Sequence, residues 1–275
     1  MFVAVVVAGM AACAIKPAAA PIDPRQIGEI WPGYGVLKGY LAPSDLPDSL
    51  ALLPAPPAEG SAAFADDHAS FVELTALQPT ARGRLAVRDA AQAFPAGPNA
   101  FACALGTEIS MHGTPNLAML MRRTQGDASL APYAAKDHYR RMRPFAFMHA
   151  PSCVPAEETS LATDGSYPSG HASVGWAWAL VLAEIAPARS NAILQRGRSF
   201  SQSRAICGVH WKSDIEAGRL VGAATVARLH ADPVFLAQLQ AARMELSGVQ
   251  TKTAASPPDC RAEADALAAT RHMQP

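Results

Sequence analysis

The feature that most constrains the fold is a series of helical segments that end at prolines. After Ser61, apolar residues recur three and four positions apart, and the segments stop at residues such as Pro79, Pro144 and Pro187. A helix rarely continues through proline, which lacks a backbone N–H and clashes with the preceding turn. The sequence has no internal repeat and no alternation of strand with helix. The pattern therefore predicts an all-α protein, folded as a single-domain helical bundle.

Capping residues refine the helix boundaries. Thr114, which is followed by proline, predicts a helix start, and Ser129 predicts another helix that ends at Arg143. A further helix is expected over residues 99–110. Ser169 is predicted to cap the most apolar helix of the chain. Only 7% of the residues are aromatic, and because strands are enriched in aromatic residues, the composition favours helices over strands.

Composition divides the 275 residues into four regions. Residues 1–20 form an apolar run that ends in small residues, which predicts a signal peptide or, alternatively, a lipoprotein signal that ends before Cys13. Residues 21–60 form an extended lead-in rich in proline and glycine, and residues 61–247 form the helical domain. Residues 248–275 form an irregular C-terminal tail. We therefore expect a periplasmic or secreted protein, or an outer-membrane lipoprotein with a lipid anchor at Cys13.

The charge balance argues against two classes of partner. Lys and Arg total 23 and Asp and Glu total 23, so the net charge is zero. Nucleic acids and anionic membranes are normally bound through an excess of positive charge. The best apolar run after the leader, residues 173–187, is interrupted by Glu184 and is shorter than the roughly 20 residues that span a bilayer. We expect no nucleic-acid partner and no integral membrane span.

Four cysteines remain after the leader, at Cys103, Cys153, Cys207 and Cys260. An even number in an exported chain favours disulfides, for which three pairings are possible, and buried free thiols are the alternative. The cysteines form no C-x-x-C pair and the sequence has no acidic cluster, so we expect no metal site.

Three motifs each place polar, anion-binding groups at the end of a predicted helix. They are, in order, Lys136-x6-Arg143-Pro144, Gly165-Ser-Tyr-Pro-Ser-Gly-His171 and Ser203-Arg204-x5-His210-x3-Asp214. The two cations of the first motif are nearly two helical turns apart, so a helix would put them on one face, where they could hold one anion. In the second, Ser169 can cap a helix whose free N–H groups favour an oxyanion, Gly170 allows close approach, and His171 lies beside them.

The third motif can supply a nucleophile. If a helix starts near His210, Asp214 lies four residues further along the same face, where its carboxylate can hold one ring nitrogen and leave the other free to attack. Arg204 offers a planar fork of donors that matches phosphate oxygens. Taken singly, each motif is also compatible with an ordinary solvated or capped helix that binds nothing.

Together and in this order, the motifs resemble the signature of the type 2 phosphatidic-acid-phosphatase superfamily, to which the vanadium haloperoxidases are related, and all eleven defining positions match. The flanking residues resemble the bacterial class A nonspecific acid phosphatases over residues 30–247. One departure is Ala172, where that class commonly has Thr. The resemblance implies the helical bundle of this superfamily and an acid phosphatase that hydrolyses phosphomonoesters with broad specificity.

The same resemblance implies a role for each motif residue. His210 would be the nucleophile that forms a phosphohistidine, Asp214 would orient it, and His171 would protonate the leaving oxygen. The phosphoryl oxygens would be held by Lys136, Arg143, Ser169, Gly170 and Arg204. The resemblance implies no cofactor and no metal, with small-molecule phosphate esters as substrates, and it leaves a homo-oligomer open.

Three other functions remain as alternatives. A vanadium haloperoxidase shares the anion site but is typically a much longer chain. A lipid phosphate phosphatase should show several apolar runs of about 18 residues or more. A non-enzymatic phosphate-binding module would need neither the two histidines nor Asp214. The joint presence of these three residues favours the phosphatase.

Overall fold

The structure is a computed structural model of the chain, and it describes residues 20–250, 260–268 and 270. The predicted signal peptide, apart from its last residue, and the alternative lipid-anchor site at Cys13 lie outside the described residues.

The regular elements of the described residues are helices. The α-helices are α1 (Pro24–Ile27), α2 (Ser49–Leu52), α3 (Ala62–Thr75), α4 (Ala81–Asp89), α5 (Ala96–Asn99), α6 (Ala102–Leu105), α7 (Pro115–Leu130), α8 (Tyr133–Tyr139), α9 (Pro144–Phe147), α10 (Glu158–Thr163), α11 (Gly170–Ile185), α12 (Ser190–Ile206), α13 (Lys212–Leu229), α14 (Pro233–Gln250) and α15 (Cys260–Ala268). Short 3-10 helices cover Pro43–Asp45, Pro155–Glu157 and Pro187–Arg189. Over the described ranges there is no β-strand beyond an isolated bridge between Glu29 and Leu37, and the all-α prediction is confirmed. No single helix in these ranges is both long and apolar enough to cross a membrane, while α13 and α14 meet those criteria only as a pair bent by 97°.

Side-chain caps explain several helix starts. The hydroxyls of Ser61, Thr80 and Ser169 accept hydrogen bonds from backbone N–H groups in the first turns of α3, α4 and α11. Each cap satisfies a donor that has no partner within its own helix. Thr114 precedes α7 as predicted, but its Oγ1 accepts from the Ser110 N–H at 2.9 Å and does not cap the helix.

Two predicted helix boundaries are wrong. Ser129 lies inside α7, where its hydroxyl donates to the Gly126 carbonyl at 3.0 Å, and the next helix starts only after Pro132. Over residues 99–110 the structure has the short helix α6, which Gly106 ends in the left-handed conformation with φ 80°. A serine hydroxyl can bond to a carbonyl within a helix as well as cap one, so the residue type alone does not fix the boundary.

The central helix of the bundle is α11. It packs against α7, α12, α13 and α14 and carries much of the main hydrophobic core. Trp178 at its middle is fully buried, and its indole N–H donates to the Met121 carbonyl at 2.8 Å. Gly218 allows α13 to approach the start of α11, because a Cβ at 218 would lie 2.3 Å from the Ser169 carbonyl oxygen. The N-terminus of α11 is therefore fixed by close packing on both sides.

The lead-in lies along the bundle and is held by α7. The Asp127 carboxylate accepts backbone N–H groups from Tyr40 at 2.8 Å and Leu41 at 3.1 Å. Gly39 is required at this approach, since a Cβ there would overlap the same carboxylate. Burial raises the pKa of Asp127 to about 6, against the effect of these backbone hydrogen bonds.

Two disulfides join distant parts of the chain. Cys103 is bonded to Cys260, 157 residues away, and Cys153 is bonded to Cys207, 54 residues away. The prediction of disulfides is confirmed, and the structure supplies the pairing that the sequence left open. The first bond holds α15 near α4, so the C-terminal region, expected to be irregular, contains a packed helix.

Candidate active site

Six of the eight predicted site residues line one cavity of about 300 Å³. They are Lys136, Arg143, Gly170, His171, Arg204 and His210. The other two, Ser169 and Asp214, are buried behind the wall of the cavity, and the Ser169 N–H donates to the Asp214 carbonyl at 2.9 Å. The three motifs, which lie far apart in the sequence, therefore converge at the N-terminal end of α11.

The first motif reaches the cavity around a bend, so the prediction that its cations share one helix face is wrong. Arg140 follows α8 in the left-handed conformation, with φ 46°, and turns the chain. Arg143 lies beyond the turn, and its Nε donates to the Leu161 carbonyl at 2.7 Å. Lys136 Nζ donates to the Gly165 carbonyl at 2.5 Å. Both cations are thus positioned by backbone oxygens of neighbouring segments.

The start of α11 presents His171 and an open space beside it. The His171 ring stacks on Phe200, with centroids 4.5 Å apart and planes at 16°, and it hydrogen bonds with the Asp89 backbone. Its Nε2 is buried and has no hydrogen-bond partner among the described residues. A Cβ at Gly170 would meet no atom within 4 Å. This end of the helix therefore combines room for a ligand with an unpartnered imidazole nitrogen.

Arg204 projects from the end of α12 into the same cavity. Its Nε and Nη1 are buried without a partner in the described part of the chain, and its Nη2 lies 3.4 Å from Glu157 Oε2. Burial lowers the pKa of Arg204 to about 10, and the Glu157 carboxylate opposes that shift. Since a buried donor without a partner is costly, an oxyanion that accepts from Nε and Nη1 would be bound favourably.

His210 faces the cavity with one ring nitrogen and the protein interior with the other. Its Nε2 lies 3.1 Å from Arg143 Nη1. A guanidinium can only donate, so Nε2 carries the lone pair and the ring proton is on Nδ1. Nδ1 lies 3.4 Å from Asp214 Oδ2, and the imidazole also hydrogen bonds with the Ser166 backbone. The arrangement favours the neutral tautomer in which Nε2 carries the lone pair.

Asp214 contacts His210 as predicted, in a helix that starts near His210 but does not include it. Helix α13 begins at Lys212, so His210 lies before the helix and Asp214 is in its first turn. Asp214 Oδ2 accepts the Trp211 N–H at 2.8 Å. A carboxylate in this position is favoured by the N-terminal end of the helix dipole. The acid therefore caps α13 and faces the imidazole with the same oxygen.

A buried network behind Asp214 is not predicted by the sequence. Arg141 donates from Nη1 to Asp214 Oδ1 and from Nη2 to Asp67 Oδ2, both at 2.7 Å. Asp67 also accepts the Ser213 N–H at 2.8 Å. Burial raises the pKa of Asp214, and the Arg141 charge opposes that shift. In the sequence, the only sign of this network is that Arg141 lies two residues before the motif residue Arg143. Asp67 is 74 residues away from Arg141, so the sequence does not connect the two.

Two carboxylates, also unpredicted, pair with the cations of the cavity. Asp164 Oδ2 lies 3.1 Å from Arg143 Nη2 and 3.4 Å from Lys136 Nζ, while Glu157 pairs with Arg204. The side chains of Asp164 and Glu157 are 39% and 45% exposed, so their ion pairs are open to water and weak. An incoming anion can therefore replace these carboxylates.

Burial and positive charge act together on the titratable groups of the cavity. Burial, followed by Arg143 and Lys136, lowers the pKa of His210 well below its ordinary value. Burial and then Arg204 lower the pKa of His171 in the same way. Burial also lowers the pKa of Lys136 to about 8. The positive charge comes from side chains, and within the described ranges no group of three His, Cys, Asp or Glu residues is placed to hold a metal ion.

The chain is similar in sequence to a known protein family and to several acid phosphatases. The PAP2 superfamily matches residues 118–236. A non-specific acid phosphatase of Providencia stuartii is 44% identical over 209 residues, which cover 76% of this chain and 84% of that protein. An acid phosphatase of Zymomonas mobilis is 36% identical over 80% of this chain and 83% of its own length. A non-specific acid phosphatase of Salmonella typhi is 35% identical over 77% of this chain and 85% of its own length.

Proposed function

This chain belongs to the class A non-specific acid phosphatases of the PAP2 superfamily, and we propose that it hydrolyses phosphomonoesters through a phosphohistidine on His210. The observation that carries the mechanism is the contact between His210 Nε2 and Arg143 Nη1. Nε2 accepts a hydrogen bond from Arg143 at 3.1 Å and so holds a lone pair at the wall of the cavity. The names of the relatives, acid phosphatase or non-specific acid phosphatase, agree with this chemistry.

The phosphoryl group binds where donors converge. Arg204 Nε and Nη1 have no partner among the described residues. Lys136 and Arg143 share Asp164 as a counter-ion, and this carboxylate is partly exposed to water. The Gly170 N–H at the start of α11 adds a donor aligned with the helix dipole. Ser169 Oγ accepts the Ala172 N–H behind the wall of the cavity and so holds the first turn of α11 in place. When phosphoryl oxygens bind, they take the place of the carboxylates on these cations.

In the first half-reaction, His210 Nε2 attacks phosphorus in line with the leaving group. The N–P bond forms, the bond from phosphorus to the ester oxygen breaks, and that oxygen takes the proton from His171. Asp214 and the Ser166 backbone hold the Nδ1 proton and stabilise the charged ring. The dianionic phosphoryl group compensates the surrounding cations, so it raises the pKa of His171 toward the protonated form that this step requires.

In the second half-reaction, the roles reverse. His171, now neutral, accepts a proton from a water molecule as the water oxygen attacks phosphorus. The N–P bond breaks, inorganic phosphate forms, and His210 returns to its neutral tautomer. Phosphoryl transfer depends mainly on positioning and on neutralising charge on the oxygens, which three fixed cations and a helix N-terminus can provide without a divalent ion.

A chelator experiment tests this proposal directly. With a chromogenic phosphomonoester, EDTA should leave the rate unchanged because Lys136, Arg143 and Arg204 supply the positive charge. Vanadate should inhibit competitively, since its trigonal-bipyramidal adduct on His210 would resemble the transition state. Loss of activity in EDTA that returns on addition of Mg²⁺ or Zn²⁺ would contradict the proposed site.

We also propose export of the enzyme to the periplasm. The apolar run at residues 1–20 and the two disulfides support this location, because disulfides persist in oxidising compartments. Cell fractionation of the wild type and of Cys13→Ser distinguishes a cleaved signal peptide from a lipoprotein signal. A soluble periplasmic enzyme in both supports the cleaved signal, whereas membrane association that Cys13→Ser abolishes supports the lipid anchor.

A further inference from the structure

The cavity extends beyond the groups that bind phosphate. Its lining also includes Trp31, Val36, Gln92 and Tyr133, none of which has a part in the proposed chemistry. Trp31 and Tyr133 are 38% and 37% exposed, so both aromatic residues are accessible to a ligand in the cavity. The volume of about 300 Å³ is at the lower end for small-molecule sites, so it can hold more than a phosphoryl group.

Trp31 is carried by a small hairpin, residues 28–38, which we call the rim hairpin. The bridge between Glu29 and Leu37 closes it, and the Ile30 N–H donates to the Val36 carbonyl at 2.9 Å. The tip turns through Gly33, with φ 85°, whose N–H donates to the Glu29 carboxylate at 2.6 Å. The tip is therefore a structured turn whose shape depends on a glycine.

The base of the rim hairpin is anchored on α7. Leu37 is buried, and its carbonyl approaches Gly126 so closely that a Cβ at 126 would lie 2.4 Å from it. Arg122 Nη2 reaches the Gly35 carbonyl at 3.4 Å. These contacts set the hairpin beside α7, on which the cavity residue Gln125 also lies.

A polar group in the same lining has no partner. Gln92 Nε2 is buried and makes no hydrogen bond with any described residue. The neighbouring Gln125 uses its Nε2 to donate to the Gln92 carbonyl at 3.2 Å. A buried amide donor without a partner is costly, so an acceptor on a ligand would be bound favourably here.

We propose that Trp31 on the rim hairpin, together with Tyr133 and Gln92, forms the subsite for the leaving group and favours planar leaving groups that accept hydrogen bonds, such as a nucleobase. The inference rests on the proposed function, since it concerns the alcohol side of the same phosphomonoester. Indole and phenol rings stack on flat π systems, and the Gln92 amide donates to a ring nitrogen or carbonyl. An aliphatic leaving group has no π system and so gains no stacking contact.

The test compares a nucleoside 5′-monophosphate with glycerol phosphate. Trp31→Ala should lower kcat/KM for the nucleotide by at least about five-fold, the lower end of what loss of one base–aromatic stack costs, and should leave glycerol phosphate unchanged. Trp31→Phe should retain most of the preference. Gln92→Leu should reduce the rate for the nucleotide alone.

Tyr34→Ala is the matched control. Tyr34 is a second aromatic residue of the same hairpin, 76% exposed, and it does not line the cavity. It should behave as wild type with both substrates, and the inhibition constant for inorganic phosphate should be the same in every variant. Equal losses for both substrates, no loss in Trp31→Ala, or a changed phosphate constant would overturn the subsite. Failure of the wild type to hydrolyse either ester would instead overturn the proposed function, and the subsite with it.

Discussion

At the scale of single residues, the two histidines of the cavity need opposite protonation states although their surroundings shift both pKa values downward. Burial and the neighbouring cations favour the neutral form of both imidazoles in the free enzyme. In the proposed mechanism, His210 attacks in its neutral form once its hydrogen bond with Arg143 breaks, whereas His171 has to gain a proton before it can act as the acid. The negative charge of the bound phosphoryl group therefore has to raise the pKa of His171, so that this residue is protonated while His210 stays neutral.

This difference predicts the pH dependence. The alkaline fall of kcat/KM should lie at lower pH than that of kcat, because kcat/KM reports the free enzyme, in which burial and Arg204 lower the pKa of His171. The measurement is the initial rate against pH with an alkyl phosphate, whose leaving oxygen needs a proton. A nitrophenyl phosphate is the control and should show a shallower alkaline fall. Identical alkaline limbs for the two esters, with chemistry rate-limiting, would exclude His171 as the general acid.

Arg141 is predicted to act on the reaction through Asp214. Arg141→Met removes the charge that opposes the raised pKa of Asp214, so the carboxyl becomes protonated sooner as the pH falls. The acid limb of kcat/KM should move to higher pH, and Arg141→Lys should move it less. Breaking a buried ion pair also costs about 3–5 kcal/mol of folding stability.

The exposed neighbour Arg140 gives the control for this prediction. Arg140→Met should keep both the stability and the pH profile of the wild type, because Arg140 is solvent-exposed. A purely structural Arg141 would lower the unfolding temperature of its variants without moving the acid limb. That result would remove Arg141 from the positioning role.

The three motifs taken together were sufficient to predict six of the residues that line the cavity, because their residue types and spacings match a known signature. They could not predict Asp67 or Asp164, because an acidic residue on a helix or in a loop has the same local appearance whether it is solvated or faces a cation. Their contacts with Arg141 and Arg143 are made only by the tertiary fold.

At the scale of elements, the proposed mechanism assigns the positioning of the phosphoryl group to the N-terminus of α11. Gly170→Ala should leave the unfolding temperature unchanged, because its Cβ would meet no atom within 4 Å. The same methyl would project into the space for the ligand and should raise KM and the inhibition constant for phosphate. Thermal unfolding and steady-state kinetics on one preparation measure both effects.

Gly197→Ala is the opposite case in the neighbouring helix α12. Its Cβ would lie 2.4 Å from the Ala179 Cβ at the crossing with α11. Overpacking of this kind costs about 1–3 kcal/mol, so the unfolding temperature should fall while KM stays near wild type. A normal KM in Gly170→Ala would show that phosphate does not bind at the start of α11.

The helices were predicted well where hydrophobic periodicity and a cap agree, as for α11 and its cap Ser169. The prediction failed where the chain turns on backbone conformation, as at Arg140, because an arginine in the left-handed conformation is uncommon and its residue type gives no sign of the turn. The lead-in shows the same limit. Its proline content predicts an irregular path, but tertiary contacts such as that of Gly39 with Asp127 fix where it runs.

At the scale of the whole molecule, the two disulfides should have separable effects. Cys103 and Cys260 line a groove beside α15, and neither lines the catalytic cavity. Replacing both by Ser should cost about 2–5 kcal/mol of stability and leave kcat/KM unchanged at a temperature where the protein stays folded.

The second disulfide, Cys153–Cys207, lies closer to the cavity residues. Cys207 directly follows α12, whose last turn carries Arg204. The double variant Cys153→Ser, Cys207→Ser should therefore lose kcat/KM as well as stability, when measured by the same assay and unfolding experiment. Equal kinetic effects of the two double variants would contradict this division.

The central claim is that the phosphoryl group passes through His210, and rapid quench with a labelled nitrophenyl phosphate tests it most directly. The wild type should give a phosphoenzyme that is labile in acid and stable in base, with the label on His210. His171→Ala should still form it, since nitrophenolate leaves without a proton. His210→Ala should form none. A phosphoenzyme of normal yield in His210→Ala, or a label on another residue of the wild type, would contradict the account.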